Sequence, residues 1–301
     1  MSSTSASAST SASASARSSY LIGLVGAGIG PSLSPALHQR EAEHHGLRYL
    51  YRRIDLDTLG LGPDDVGALV RTARRLGYDG LNITHPGKQT VIPYLDDLSE
   101  DARALGAVNT VVFDEDGRSC GHNTDWSGFA QSFARGLEDA PTRRVVQLGA
   151  GGAGAAVAHA LLTLGADRVT LVDADRDRAR ALAAGLTGRF GDGRAYAAPR
   201  ERLGALLAGA DGLVHATPMG MAHHPGLPFP AGLLHPGLWV ADVVYRPLDT
   251  ELLRQARALG CRTLDGGGMA VFQAAHAFRL FTGREPDPAR MLAHMAALVA
   301  A

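Results

Sequence analysis

The chain has 301 residues, and its 29 Lys plus Arg against 30 Asp plus Glu give a formal net charge of −1, which offers no electrostatic reason to expect nucleic acid or an anionic membrane as a partner. Its two cysteines, Cys120 and Cys261, form no C-x-x-C and exclude a disulfide framework, so a reducing compartment, the cytoplasm, is expected. None of the 12 histidines stands in a metal-ligand spacing, no apolar run approaches the ~18 residues that cross a bilayer, and the N-terminus lacks the apolar centre of a secretory signal. No metal is expected, and the length suits about two domains.

Residues 1–19 are almost all Ser, Ala and Thr, with too little apolar area to offset the entropy of ordering, and are read as a disordered tail. From Tyr20 the pattern becomes globular. Leu21 to Val25 is a strand, and a Gly-rich turn leads to Ser32-Leu33-Ser34-Pro35 and a helix running to about His45. Ser34 before Pro35 is a standard N-cap, whereas Ser32 has no such role. Two hydroxyls two residues apart in an extended turn point the same way and suit a polyol or a carboxylate. Tyr49 to Ile54 is a second strand. Val66, Leu69, Val70, Ala73 and Leu76 line one face of a helix ending at Gly77. Strand Gly80 to Ile83 runs into Thr84-His85-Pro86-Gly87-Lys88, at the strand end where open α/β sheets bind ligands. A single lysine after Pro-Gly is usually a solvated helix start. Helix 97–105 precedes a strand over Gly106 to Phe113 that holds Asn109, Asp114 to Gly117 forms a hairpin turn, and the chain returns to Asp125. Asp125 is a candidate helix cap.

Arg143 to Asp173 reads as a complete βαβ unit. The apolar run Val145, Val146 and Leu148 ends in Gly149-Ala150-Gly151-Gly152-Ala153-Gly154, a helix carries Val157, Leu161 and Leu164 to Gly165, and strand Val169 to Val172 ends at Asp173. Gly149 permits the tight turn, Gly151 lets the backbone approach a pyrophosphate, and Gly154 allows close packing of helix on strand. Asp173, 24 residues after Gly149, falls where a carboxylate bonds an adenosine ribose. With 37 glycines in the chain the glycine spacing alone is weak; the flanking strands and the acid carry the dinucleotide reading.

Further along come a helix near 175–186, a strand near 194–197, a helix near 200–208, strand Gly212 to His215 with the loop Ala216-Thr217-Pro218, strand Trp239 to Tyr245, a helix over 250–258, and helices 269–281 and 287–300. Gln273 is a polar residue on an apolar helix, a position that most often faces solvent. The last helix is apolar enough to pack back on a domain.

Taken in order, Ser32-x-Ser34-Pro35, Asn82-Ile83-Thr84-x-Pro86-x-Lys88, Gly106-Ala107-Val108-Asn109-Thr110, Asn123-Thr124-Asp125, the Gly149 loop, Ala216-Thr217-Pro218 and Gln273-Ala274-Ala275-His276-Ala277-Phe278 resemble the shikimate dehydrogenase family from Tyr20 to the C-terminus. His85, Gly121-His122 and Asp242-Val243-Val244-Tyr245-x-Pro247 are most similar to its NAD-using quinate/shikimate branch. The departure is Ser34, where that branch carries Thr.

The resemblance implies an α/β protein of two domains: a substrate-binding catalytic domain over 20–126, a Rossmann domain over 127–265, and C-terminal helices over 266–301 returning to the first. It further implies reversible hydride transfer between NAD and the ring alcohol of shikimate or quinate, with Lys88 and Asp125 as the proton-transfer pair. Ser32 and Ser34 are then expected on the substrate carboxylate, and Thr84, Asn109, Asp125, Tyr245 and Gln273 on ring hydroxyls. Gly149 to Gly154, Asp173, Thr217, Val243 and Gly266 are expected to line the cofactor. NADP enzymes of the family carry Asn-Arg-Thr where this chain has Asp173-Ala174-Asp175, so NAD is the expected cofactor, with Arg176 and Arg178 as the counterargument. The expected partner is a cyclohexene or cyclohexane carboxylic acid, bound by a monomer or homodimer. The alternatives are an NADP-dependent biosynthetic shikimate dehydrogenase, an aminoshikimate dehydrogenase, and a non-catalytic domain that senses a shikimate-like ligand.

Overall fold

The computed structural model describes residues 17–300. Its first half runs β1 (Ser19–Gly26), α1 (Ser34–His44), β2 (Arg48–Asp55), α2 (Leu56–Leu59), α3 (Val66–Arg75), β3 (Gly80–Ile83), α4 (Gly87–Thr90), β4 (Asp97–Leu98), α5 (Glu100–Leu105), β5 (Thr110–Phe113), β6 (Ser119–His122) and α6 (Asp125–Gly136). The strand order is β2-β1-β3-β5-β6-β4. β1, β2 and β3 are parallel, and β5 and β6 form an antiparallel hairpin.

The second half comprises β7 (Arg144–Leu148), α7 (Gly152–Thr163), β8 (Arg168–Val172), α8 (Arg176–Phe190), β9 (Ala195–Ala197), α9 (Leu203–Leu207), β10 (Gly212–His215), β11 (Trp239–Asp242), α10 (Glu251–Ala258) and β12 (Arg262–Leu264). All six strands are parallel, in the order β12-β11-β10-β7-β8-β9. The order reverses at β7, so the loops after β7 and β10 splay apart and leave a crevice at the carboxyl ends of the strands. The central strands β7, β10 and β11 are buried on both faces, and their runs are largely apolar.

The chain then returns through α11 (Gly267–Thr282) and α12 (Pro288–Ala300). α11 lies against α6 at backbone contact. A Cβ on Gly268 would sit 2.2 Å from Ser132 Oγ, and one on Gly128 would sit 2.7 Å from the Gln273 nitrogen. Phe278 and Phe281 enter an aromatic cluster with Tyr20 and Tyr49, while Met291 and Met295 of α12 close over Leu37 of α1.

Several expected boundaries shift, each for a local reason. Of the expected tail, residues 1–16 lie outside the described residues, whereas Ser19 opens β1 because its backbone pairs with Arg48. The helix expected over 97–105 begins only at Glu100: Asp97 and Leu98 pair with β6, and the Ser99 hydroxyl caps the helix through the Ala102 amide. Gly106 ends that helix in the left-handed conformation, so the next strand starts at Thr110 rather than at 106. β11 stops at Asp242, short of Tyr245, because the Asp242 carboxylate accepts the Val244 amide and turns the chain. Ser34 is the first helical residue and makes no cap bond, Leu33 occupying the N-cap. Asp125 is likewise inside its helix, and the Asn123 side chain receives its amide.

Candidate active site

The turn after β3 is held by two backbone bonds, from the Thr84 amide to the Val25 carbonyl and from the Gly87 amide to the Thr84 carbonyl. The Lys88 carbonyl accepts from the Val108 amide at 2.8 Å, which fixes α4 against the approach to β5. From this position Lys88 Nζ donates to Asp125 Oδ2 at 2.6 Å, with side-chain exposures of 19% and 9%. An ammonium and a carboxylate this close and this dry form a strong charge-assisted bond. They are also the two kinds of group needed to take up and return an alcohol proton.

Asp125 is oriented from behind. Asn109 Nδ2 donates to Asp125 Oδ1 and to Thr124 Oγ1, both at 2.9 Å, while its Oδ1 accepts from the Thr124 amide at 2.7 Å and from Thr110 Oγ1 at 3.1 Å. Both ends of the amide are therefore committed within the protein, and Asn109 reaches the site by holding Asp125. Behind it, Asn82 Nδ2 bonds Thr110 Oγ1 and the Asn109 carbonyl, and the buried Tyr51 hydroxyl donates to Asn82 Oδ1 at 2.7 Å. Burial pushes the Tyr51 phenol well above its ordinary range, so it stays a donor. Sequence reasoning gave no role to Tyr51 or Thr110. Tyr51 stands between Leu50 and Arg52 and Thr110 between Asn109 and Val111, a setting that marks neither out.

Ser32 and Ser34 lie half-buried at the start of α1, the Ser32 hydroxyl accepting from the Ser34 amide at 3.3 Å. Tyr245 comes to Ser32 from the other half; burial raises its phenol, partly offset by Arg246 and by the bond to Ser32. Arg246 donates to the Pro31 carbonyl, a second contact across the cleft. Thr84 stands beside the end of β1. Gln273 is half-buried, with its Nε2 turned back to the Ala270 carbonyl at 2.9 Å.

The dinucleotide loop fits its expected occupant. The N-cap of α7 is Gly151, which has no side chain to cap with, so the first-turn amides are left for an anion. A Cβ on Gly151 would meet nothing within 4 Å, whereas one on Gly149 would lie 2.4 Å from the Ala216 carbonyl and one on Gly154 2.2 Å from the Gly149 carbonyl. The turn is thus packed tightly behind and open in front. Gln147, wholly buried beneath it, donates to the Gly149 and Gly154 carbonyls, each at 2.8 Å, a support the sequence reading missed. Thr217 packs against Gly149, and Gly266 against the Val243 carbonyl. A Cβ on Gly152 would touch the Lys88 side chain at 3.4 Å, which sets the loop directly against the Lys88–Asp125 pair.

Asp173 accepts from the Ala150 amide at 2.6 Å, the Asp175 amide at 2.8 Å and Arg178 at 2.7 Å. Burial alone would raise its pKa; Arg178 and the two amides outweigh that and hold the carboxyl below its usual range. Arg176 is turned away onto Glu201. Among the described residues no group of three or more His, Cys, Asp or Glu could hold a metal ion, and no helix is long and apolar enough to cross a membrane.

Comparison with known proteins agrees along the chain. Residues 24–111 match the shikimate dehydrogenase substrate binding domain, residues 266–295 the shikimate 5'-dehydrogenase C-terminal domain, and residues 145–222 the saccharopine dehydrogenase NADP binding domain. A shikimate dehydrogenase (NADP(+)) of Streptomyces avermitilis is 73% identical over 93% of this chain and 96% of its own length. A quinate/shikimate dehydrogenase (NAD(+)) of Corynebacterium efficiens is 50% identical over 91% and 97%. The solved quinate dehydrogenase from Corynebacterium glutamicum in complex with NAD superposes with a TM-score of 0.88 at 48% identity, covering 93% of this chain and 99% of that one.

Proposed function

This chain belongs to the shikimate dehydrogenase family, NAD(P)-dependent oxidoreductases acting on a CH–OH group, and we propose that it interconverts the ring alcohol of shikimate with the 3-dehydro ketone, using NAD in preference to NADP and accepting quinate as a second substrate. The observation that carries the reaction is the 2.6 Å Lys88–Asp125 pair lying against the Gly152 turn of the dinucleotide loop. The dinucleotide, when bound, supplies or accepts the hydride. Lys88 and Asp125 move the alcohol proton, with Asn109 keeping the Asp125 carboxylate aimed. Ser32 and Ser34 take the substrate carboxylate. Thr84, Tyr245 and Gln273 take ring hydroxyls, Gln273 after turning its amide from Ala270. The domain division follows the two sheets, with α11 and α12 belonging to the first.

Asp173 supports NAD. Its carboxylate is anchored by two amides at the end of β8, where it accepts ribose hydroxyl protons but repels a 2′-phosphate. The competing reading, NADP, has Arg178 in its favour: the guanidinium is half exposed, already at Asp173, and free to turn onto a phosphate. The relative at 73% identity carries an NADP(+) name, those at 50% an NAD(+) name. Initial rates with NAD and NADP against shikimate, quinate and aminoshikimate decide between them. The expected kcat/KM is at least about five-fold higher with NAD, the charge repulsion being screened by solvent. An equal or better NADP value overturns the cofactor assignment, and no reduced-nicotinamide absorbance with any of the three acids overturns the reaction.

A further inference from the structure

Three segments of the second half converge on one buried carboxylate. Asp242, at the end of β11, accepts from the Val244 amide at 3.0 Å through Oδ1 and from Thr250 Oγ1 at 2.8 Å through Oδ2. Its Oδ1 also lies 3.0 Å from Nδ1 of His215, the fully buried last residue of β10. The other ring nitrogen, Nε2, is 2.5 Å from Thr217 Oγ1, on the loop that packs against Gly149.

A carboxylate only accepts, so His215 Nδ1 carries a proton; an Nε2 that carries none accepts, and the Thr217 hydroxyl proton is then committed to it. Thr217 Oγ1 receives the Met219 amide at 3.3 Å, which leaves one lone pair on a half-exposed hydroxyl at the dinucleotide crevice. A free threonine hydroxyl rotates to donate or accept as its neighbour requires. This one is denied that choice.

We propose that His215 holds its proton on Nδ1 alone, and that His215 and Asp242 are positioning residues that thereby lock the Thr217 hydroxyl as a hydrogen-bond acceptor for a donor on the nicotinamide nucleoside, either the carboxamide N–H or a ribose hydroxyl. This rests on the reading of the crevice as the NAD(P) site. The locked acceptor has a use there: the oxygen and nitrogen ends of a carboxamide are nearly the same size, and only a group of fixed polarity tells them apart. The same carboxylate holds the Val244 amide, so one buried charge aligns the loops after both β10 and β11.

The test is a double-mutant cycle read in dinucleotide KM, with kcat and the KM for the acid substrate as separate readouts. Thr217→Val is expected to raise dinucleotide KM about five-fold, the loss of one neutral hydrogen bond, and Thr217→Ser to keep the wild-type value. His215→Asn retains the bond to Asp242 and loses Thr217; it should match Thr217→Val, and the double variant should be no worse than either. The KM for the acid should not move. Penalties that multiply in the double variant, or a Thr217→Val enzyme with wild-type KM, overturn the proposal. Should His215→Asn not fold, the contrast between Val and Ser at half-exposed position 217 still decides. With 3-acetylpyridine adenine dinucleotide, which lacks the carboxamide N–H, disappearance of the Thr217→Val penalty assigns the donor to the carboxamide and its persistence to the ribose; either supports the locked acceptor. A wild-type protein that turns over with no dinucleotide sinks the functional reading, whereas independent effects in an active enzyme sink only this one.

Discussion

Lys88 works only in company. Its ammonium is 2.6 Å from Asp125, whose other oxygen is held by Asn109, so the lysine, the acid and the amide act as one unit. Lys88→Ala is expected to lower kcat by about 10²-fold or more in steady-state assays, the usual cost of a lost general acid or base. Lys88→Arg should not restore it, because a guanidinium does not release its proton at working pH. A kcat near wild type in Lys88→Ala would remove the residue from the chemistry. At the adenosine end, Asp173→Asn is expected to narrow the ratio of kcat/KM for NAD over NADP, and an unmoved ratio would show that the ribose is read elsewhere. Lys88, Asp125 and Asp173 were legible in the sequence because each sits at the end of a strand or the head of a helix in a recognisable run. Asn109 was legible as a site residue, but not as one whose amide is already spent. That depends on Thr110 and Thr124 closing around it, and no spacing rule carries such information.

Among the elements, the C-terminal helix is fastened by a buried charge. Glu41 of α1, 1% exposed in its side chain, accepts from Arg290 Nη2 at 2.5 Å and Nε at 2.9 Å, and from the Asp287 amide at 2.8 Å. Burial opposes ionisation of Glu41, but Arg290, the Asp287 amide and His45 together hold its carboxyl below the ordinary range. Glu41→Gln is expected to lower the unfolding free energy in urea by about 2–3 kcal/mol, less than a fully buried pair because Arg290 keeps a third of its surface in water. A loss under half of that would mean that apolar contacts alone hold α12. The order of elements was readable from periodicity, since the long apolar runs and the helix faces carry it. The ends were not. Helix 97–105 lost its first turn to a two-residue strand pairing with β6, and β11 was shortened by its own aspartate, both decided by partners distant in sequence.

At the scale of the whole molecule, the aromatic cluster that seats α11 on the first sheet encloses His38, 0% exposed. Its Nδ1 meets the Tyr49 hydroxyl at 3.0 Å, and its Nε2 finds no partner among the described residues. Burial pushes the ring down to about 3 from an ordinary 6.5, so the folded protein keeps it neutral. The unfolded chain takes up that proton as pH falls below 6.5 and the folded chain does not, so the stabilisation is complete above 6.5 and is lost toward 3. Denaturant midpoints from pH 7 to 4 should therefore fall on the acid side, with about 1.4 kcal/mol per pH unit of the slope belonging to this histidine. His38→Phe should flatten the limb by that amount, and an unchanged slope would place the proton uptake elsewhere.

α6 begins with Asp125 and continues through Phe129, Phe133 and Leu137 into the core shared with Val145 and Trp239 of the second sheet, while its first carboxylate is bonded to Lys88 and Asn109 of the first half. The helix thus reaches from the core of the second sheet, with α11 along its side, to side chains of the first half at its tip. The bond between Lys88 and Asp125 is therefore a joint between the two sheets, and a shift of one sheet against the other would load it.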